Sequence, residues 1–317
     1  GHEFMGIVTQ CGSAVRVFKE GDRVLAPFQV SCKNCFFCHN KQFSLCDNTN
    51  TNYDETSKLM GFAPAGFFGY TSMFGNLNGG QAEYVRVPWA DTTLMHVPSN
   101  LPDEKLLFLT DVFPTGYQAA VDCDIQEGDT VAIWGCGPVG QFAIRSALML
   151  GAKTVIAIDV VPERMAMARA GGARTINAKD DDVYKVLLDW TSGRGPDACI
   201  DAVGMEAHGT GILNLMDRAK QLVRLESDRP SALREIIRCC RKGGRISIPG
   251  VYSGTVDNLP LGFSFQKGIQ WKMGQCHVRK YLEELLIKVR EGEFDPSFII
   301  THTFPLTEAE KAYKLFC

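Results

Sequence analysis

The stretch Thr130–Gly140 constrains this chain most. It reads T-V-A-I-W-G-C-G-P-V-G, with Asp159 downstream of it. Val131, Ala132, Ile133 and Trp134 form a short apolar run suited to a buried parallel strand. Gly135, Gly137 and Gly140 then complete G-x-G-x-x-G, and Val139 to Leu150 reads as a helix whose first turn Pro138 pre-shapes. Each glycine has a physical job: a tight turn, close approach of backbone to a pyrophosphate, and close packing of helix on strand. The helix N-terminus adds free N–H groups and the positive end of a dipole. A second apolar strand, Thr154 to Ile158, ends in Asp159. That is about 20 residues past the fingerprint, where a carboxylate would bind the adenosine ribose hydroxyls. The order strand, turn, helix, strand, acid predicts a dinucleotide-binding unit; without a ligand it would be an ordinary βαβ unit.

At 317 residues the length suggests about two domains. Hydrophobic residues make up 45% and charged residues 22%, enough for a real core. A net charge of −3 without long basic runs argues against nucleic acid or a membrane surface as partner. No apolar run reaches the ~20 residues needed to span a bilayer. No secretory leader is read, and the opening Gly1, without an initiator Met, reads as a fragment or processed end. Twelve cysteines, four of them at metal-ligand spacing, point to reduced thiols and a cytoplasmic protein rather than a disulfide framework.

Along the chain, Val8–Val15 and Arg16–Phe18 alternate as strands do, Glu20-Gly21-Asp22 reads as a turn, and Arg23–Pro27 as another short strand. Cys32, Cys35, Cys38 and Cys46 follow as C-x2-C-x2-C-x7-C, a spacing that closes a tetrahedral structural zinc site. Backbone N–H groups around Lys33 and Asn34 can soften the thiolate charge. Two alternatives stay open: an iron–sulfur cluster, although those runs continue x3-C-P whereas Asp47 follows Cys46, and a pair of disulfides. Asn48–Asn78 reads as loops whose aromatics, Phe62, Phe67, Phe68, Tyr70 and Phe74, either line a pocket or cover the core edge. Gly79–Pro88 resumes β alternation and Asp103–Leu109 reads as a helix. From about Gln118 strands and helices alternate, the pattern of a parallel sheet covered on both faces. Helices are expected over Pro162–Ala170, Asp182–Trp190, Ala232–Cys240 and Tyr281–Arg290, and strands over Ala198–Val203 and Arg245–Ile248. Thr307 and Glu310 read as a capping box for a last helix. His39, His96, His208 and His277 offer surface or packing roles. By itself His2 reads as a structural or terminal histidine more readily than as a ligand.

Together these pieces resemble the zinc-dependent medium-chain alcohol dehydrogenases, and within them the branch around glutathione-independent formaldehyde dehydrogenase. The resemblance rests on Gly1-His2-Glu3, the four-cysteine lobe, Gly79–Tyr84, Asp111–Tyr117, the Gly135 fingerprint, Met205–Gly209, Leu225–Pro230, Ser247–Tyr252 and Asp295–His302. It implies an α/β architecture: a doubly wound Rossmann sheet over 118–274 and a GroES-like β-rich catalytic domain over 1–117, with its zinc lobe at 32–46, to which the chain returns over 275–317. Zinc and substrate are expected in the cleft between those domains. His2 and Asp111 are implied as catalytic zinc ligands, with Glu3 a close or occasional ligand. Thr115 is implied at the nicotinamide, Val139 behind its ring, Arg164 by the adenosine, and Gly250 and Val251 along the nicotinamide side.

The activity implied is hydride transfer between NAD and a primary alcohol or an aldehyde (hydrate), formaldehyde included, by a homo-oligomeric dimer or tetramer. The alternatives are a polyol dehydrogenase of the same superfamily and a non-catalytic NAD-binding zinc protein. Asp159 favours NAD over NADP, because a 2′-phosphate would meet a carboxylate; Arg164 softens that preference. The chain departs from the family pattern at both ends, beginning at the Gly1-His2-Glu3 motif and stopping at Cys317. The family's cysteine ligand lies about twenty residues before the histidine, and its last helix is followed by a strand. The chain is thus expected to be clipped at both ends of its catalytic domain and its second zinc to be weakly held.

Overall fold

A computed structural model describes residues 1–206, 230–252 and 255–316. They form two compact units, Gly1–Pro114 with Cys276–Cys317, and Thr115–Gln275.

The first unit holds a three-stranded antiparallel sheet of β1 (Phe4–Ile7), β2 (Arg23–Ala26) and β3 (Met95–His96), in that order. Phe4 opposes Ala26, and Val24 opposes His96. Phe18, Val24, Ala26 and Leu94 are buried together against one part of it.

Much of this unit is irregular, and here alternation misleads. Val8–Phe18 forms no strand. The Val8 N–H instead donates to the Asp22 carbonyl and the Val8 carbonyl accepts from the Gly21 N–H, while the N–H groups of Arg16 and Val17 both donate to the Asp91 carboxylate. Val8, Val15 and Phe18 turn inward as single residues, without a strand partner. Gly79–Pro88 likewise carries no strand; Val85 and Val87 pack on small buried clusters. Asp103–Leu109 becomes two 3-10 turns, Asp103–Lys105 and Leu107–Thr110, the second closed by the Thr110 hydroxyl donating to the Leu107 carbonyl at 2.6 Å. The loop-like stretch from Asn48 contains a helix, Tyr53–Met60, with Asp54 and Glu55 in its first turn. Gly61 ends it in the left-handed region at φ +80°. Thr307 and Glu310 form no capping box. A 3-10 turn, Leu306–Glu308, leads into the helix Ala309–Phe316, and Glu310 pairs with Lys314 at 2.7 Å.

The second unit is a six-stranded parallel sheet. Its strands are β4 (Thr130–Trp134), β5 (Thr154–Asp159), β6 (Arg174–Asn177), β7 (Ala198–Asp201), β8 (Arg245–Ile248) and β9 (Gln270–Met273). They lie in the order β6-β5-β4-β7-β8-β9, the doubly wound Rossmann arrangement that reverses direction at its first strand. Helices are present over Pro138–Met149, Pro162–Ala170, Val183–Trp190 and Ser231–Cys239.

Side-chain period two explains why both faces need cover. Val131 and Ile133 of β4 enter a cluster with Ala143, Ile144 and Ala147 of the first helix. Ala132 and Trp134 enter another with Leu187, Ile236 and Ile237 of the third and fourth helices. Trp134 keeps its indole N–H satisfied by donating to Glu235 at 2.7 Å. Among the described residues, no helix is long and apolar enough to cross a membrane.

At the N-terminal ends of β8 and β4, Arg245 donates to Asp129 at 2.5 Å, and both side chains are almost buried at 11% and 12% exposure. Removing one partner leaves the other charge stranded in low dielectric. Arg245→Met is therefore expected to lower unfolding free energy by on the order of 3 kcal/mol, read as a shifted urea midpoint. A loss below about 0.5 kcal/mol would show that water reaches the pair.

Candidate functional site

The turn leaving β4 is shaped by its glycines. Gly135 sits at φ +91°, where a side chain is strained, and a Cβ there would lie 2.9 Å from Val203 Cγ2. A Cβ on Gly140 would lie 1.9 Å from the Gly135 carbonyl oxygen, so only glycine lets the helix Pro138–Met149 seat on the turn. Gly137 differs. Its φ of −67° suits any residue, and a Cβ would meet nothing within 4 Å. Protein packing does not explain that glycine; room for a ligand does. Pro138 occupies the first helical position, and the N–H groups of Val139 and Gly140 lie in the first turn, where the helix offers them no carbonyl. The residues present thus fit a dinucleotide pyrophosphate.

Asp159 does more than its motif position suggests. Its Oδ2 accepts from the Cys136 N–H at 2.6 Å, and Oδ1 accepts from Val160 and Val161 at 2.7 and 2.9 Å. A carboxylate has about four lone-pair sites, so one is left for a ribose hydroxyl. Arg164 is exposed on the helix Pro162–Ala170. Thr115 lies in the helix Val112–Asp122.

Gly250 and Val251 leave the C-terminal end of β8 and are tied to the segment after β7. The Gly250 N–H donates to Asp201 O at 2.9 Å, and Met205 N–H to Val251 O at 3.0 Å. Asp201, which sequence reasoning passed over, is fully buried. Its carboxylate accepts from Val203 N–H, Gly204 N–H and the Tyr252 hydroxyl. Its only sequence signal is an acid closing an apolar strand. Of the motifs quoted above, residues 207–209 and 225–229, with His208, lie outside the described residues.

In the first unit, the sulfurs of Cys32, Cys35, Cys38 and Cys46 all lie within 4.8 Å of one another. Cys32 and Cys38 are 4.0 Å apart, and Cys35 and Cys46 are 3.9 Å apart. A disulfide needs about 2.05 Å, whereas tetrahedral Zn–S bonds of about 2.3 Å put sulfurs about 3.8 Å apart. The donor set therefore fits one zinc ion. An iron–sulfur cluster, with its irons between the ligands, would hold the thiolates farther apart. Asn34 N–H and the Asn48 amide both donate to Cys32 Sγ at 3.3 Å, softening thiolate charge. The hydrogen bond between the Cys38 and Cys46 sulfurs holds the Cys46 thiol below the usual range and pushes Cys38 above it. Behind the lobe, Nδ1 of His277 stands 2.8 Å from the Ser44 hydroxyl, and burial pushes its pKa down to about 4. His96 stacks on Phe18 at 4.4 Å and His39 is exposed.

His2 Nε2 and Asp111 Oδ2 stand 2.6 Å apart although 109 residues separate them. Asp111 sits at the joint between the 3-10 turn and the helix beginning at Val112. Glu3 accepts from the Val112 N–H at 3.3 Å. Burial first, and then the charge of Asp111, push the Glu3 carboxyl up to about 7. The rings of Tyr70 and Phe28 flank His2 at 5.2 and 5.4 Å, while Phe67 and Phe68 are fully buried core residues. An imidazole nitrogen and a carboxylate suit zinc in kind. Two such ligands around one ion stand about 3.4 Å apart, so binding would open this hydrogen bond. Among the described residues, the cysteine quartet is the one group of three or more such donors gathered closely enough for an ion.

Comparison with known proteins fits this geometry. Residues 1–99 match the alcohol dehydrogenase GroES-like domain, and residues 138–225 match the zinc-binding dehydrogenase domain. An uncharacterized zinc-type alcohol dehydrogenase-like protein of Bacillus subtilis is 39% identical over the whole chain, which covers 81% of that protein. The chain belongs to the zinc-dependent medium-chain alcohol dehydrogenase family. The dehydrogenases it resembles include a glutathione-independent formaldehyde dehydrogenase of Bacillus subtilis, 33% identical over the whole chain and 76% of its own length. The solved alcohol dehydrogenase of Thermus sp. ATN1 superposes with a TM-score of 0.82 at 32% identity, over the whole chain and 80% of that structure.

Two outcomes follow for this dehydrogenase. After exhaustive dialysis, metal analysis should find about one zinc per chain, lost in Cys46→Ser; two tightly held ions would contradict the two-donor reading of His2 and Asp111. Gly137→Ala should leave the melting temperature within about 2 °C yet weaken NAD binding by on the order of tenfold. Unchanged NAD affinity would show that the space above Gly137 holds no phosphate.

Proposed function

We propose that this chain is an NAD-dependent, zinc-dependent dehydrogenase interconverting a primary alcohol and its aldehyde, formaldehyde (as its hydrate) included. The observation that supports it best is the 2.6 Å meeting of His2 and Asp111, which nothing in local structure requires. When bound, zinc supplies a Lewis acid for the substrate oxygen and the nicotinamide supplies the hydride acceptor.

The chain's own residues do the rest. His2 and Asp111 hold the ion, and Glu3 stands beside them, anchored to Val112. Phe28 and Tyr70 give the surroundings an apolar character, which suits a short alkyl group better than the many hydroxyls of a polyol. In the second unit, Gly135, Gly137, Pro138, Val139 and Gly140 cradle the pyrophosphate. Asp159 and Arg164 receive the adenosine half, and Thr115, Gly250 and Val251 the nicotinamide half.

Two further readings belong here. The eleven cysteines among the described residues form no disulfide, which favours a reducing compartment, the cytoplasm. A homo-oligomer is supported by β9, an edge strand carrying the exposed Met273, with exposed Phe263 and Phe265 nearby in sequence.

The test is a substrate panel. Primary alcohols and aldehyde hydrates should reduce NAD faster than polyols do. His2→Ala and Asp111→Asn should each lower turnover by on the order of 100-fold with NAD affinity kept. Better turnover of polyols, or NAD binding with no turnover of any alcohol, would favour the alternatives. NADP should serve worse than NAD by on the order of 100-fold, since its 2′-phosphate meets the Asp159 charge; equal use would remove Asp159 from the ribose site.

A further inference from the structure

Gln141 is only 1% exposed, yet it carries a polar side chain that must be satisfied. Its Nε2 donates to Cys136 O at 2.9 Å and to Arg164 O at 2.8 Å, while Oε1 accepts from Arg145 Nη1 at 3.1 Å. Arg145 extends the tie, donating to Gln141 O at 3.2 Å and through Nη2 to Met167 O at 3.4 Å. Burial pushes Arg145 down to about 10, so it keeps its charge at neutral pH. One amide thus fastens the glycine turn to the helix Pro162–Ala170.

The consequence lies in the peptide between Cys136 and Gly137. A trans peptide holds its C=O and N–H antiparallel. With the Cys136 carbonyl turned toward Gln141, the Gly137 N–H points the other way. Gly137 is the residue whose Cβ position is open space. The preceding peptide is fixed as well, because the Cys136 N–H donates to Asp159 at 2.6 Å. Both peptides flanking Cys136 are therefore set before any ligand arrives, one by Asp159 and one by Gln141.

We propose that Gln141 is a positioning residue for the dinucleotide pyrophosphate: it aims the Gly137 N–H at the phosphate and ties that donor to the helix bearing Arg164. The proposal rests on the dinucleotide reading above. It extends that reading to a residue outside the glycine motif which touches no ligand.

Calorimetric titration of the whole chain with NAD, ADP and adenosine separates positioning from simple packing, because adenosine has no phosphate. Each protein is measured well below its own melting temperature. Gln141→Met keeps the volume and removes the amide. Gln141→Glu keeps the acceptor for Arg145 and removes the donor. Both should weaken NAD and ADP at least tenfold and leave adenosine within twofold. At saturating NAD, kcat should match the parent chain while KM for NAD rises. If ADP and adenosine weaken equally, or ADP does not weaken in either variant, Gln141 is packing only and the proposal is wrong. A parent chain that binds neither NAD nor ADP takes down the dinucleotide reading, and this proposal with it.

Discussion

The second unit depends on one close approach. The helix after β4 can sit over the turn only because residue 140 lacks a Cβ, which would fall 1.9 Å from the Gly135 carbonyl oxygen. That contact sets the helix start at the carboxyl end of the sheet, beside the point where strand order reverses. Everything that could hold a dinucleotide follows from it. Asp159 is brought to the turn from β5, and Gln141 is buried behind it. A turn held from both sides by Asp159 and Gln141 has little freedom left to lose when a ligand binds.

The first unit solves a different problem. Its three-stranded sheet is small, and long stretches run without regular structure. Four sulfurs within 4.8 Å supply a local anchor instead, because metal binding there offsets the entropy of closing the 32–46 loop. The Ser44–His277 bond then links that lobe to a segment 233 residues away. His2 and Asp111 meet by similar long-range closure, flanked by the rings of Phe28 and Tyr70.

Some of this was legible in the residues, and the physics explains which parts. Pro162–Ala170 and Arg245–Ile248 have the bounds read from sequence, because prolines and glycines punctuate them with strong local preferences. The cysteine spacing likewise named a four-sulfur cluster that the fold assembles. Val8–Phe18 misled because alternation shows only which side chains face inward, and Asp91 took backbone bonds that a strand partner would have supplied. Tyr53–Met60 was hidden among turn-forming residues, although Gly61 marked its end. The second duty of Asp159 and the whole role of Gln141 depend on contacts across 5 to 23 residues that no motif encodes.

One chain is expected to carry both a nicotinamide cradle and the residues that hold a metal for an alcohol oxygen. The most direct measurement uses an alcohol deuterated at its carbinol carbon, incubated with the chain, zinc and NAD, followed by mass analysis of the reduced nicotinamide. Deuterium is expected on the nicotinamide ring, and is expected to be lost in His2→Ala. Reduced nicotinamide without the label, or label transfer unchanged in His2→Ala, would contradict that expectation.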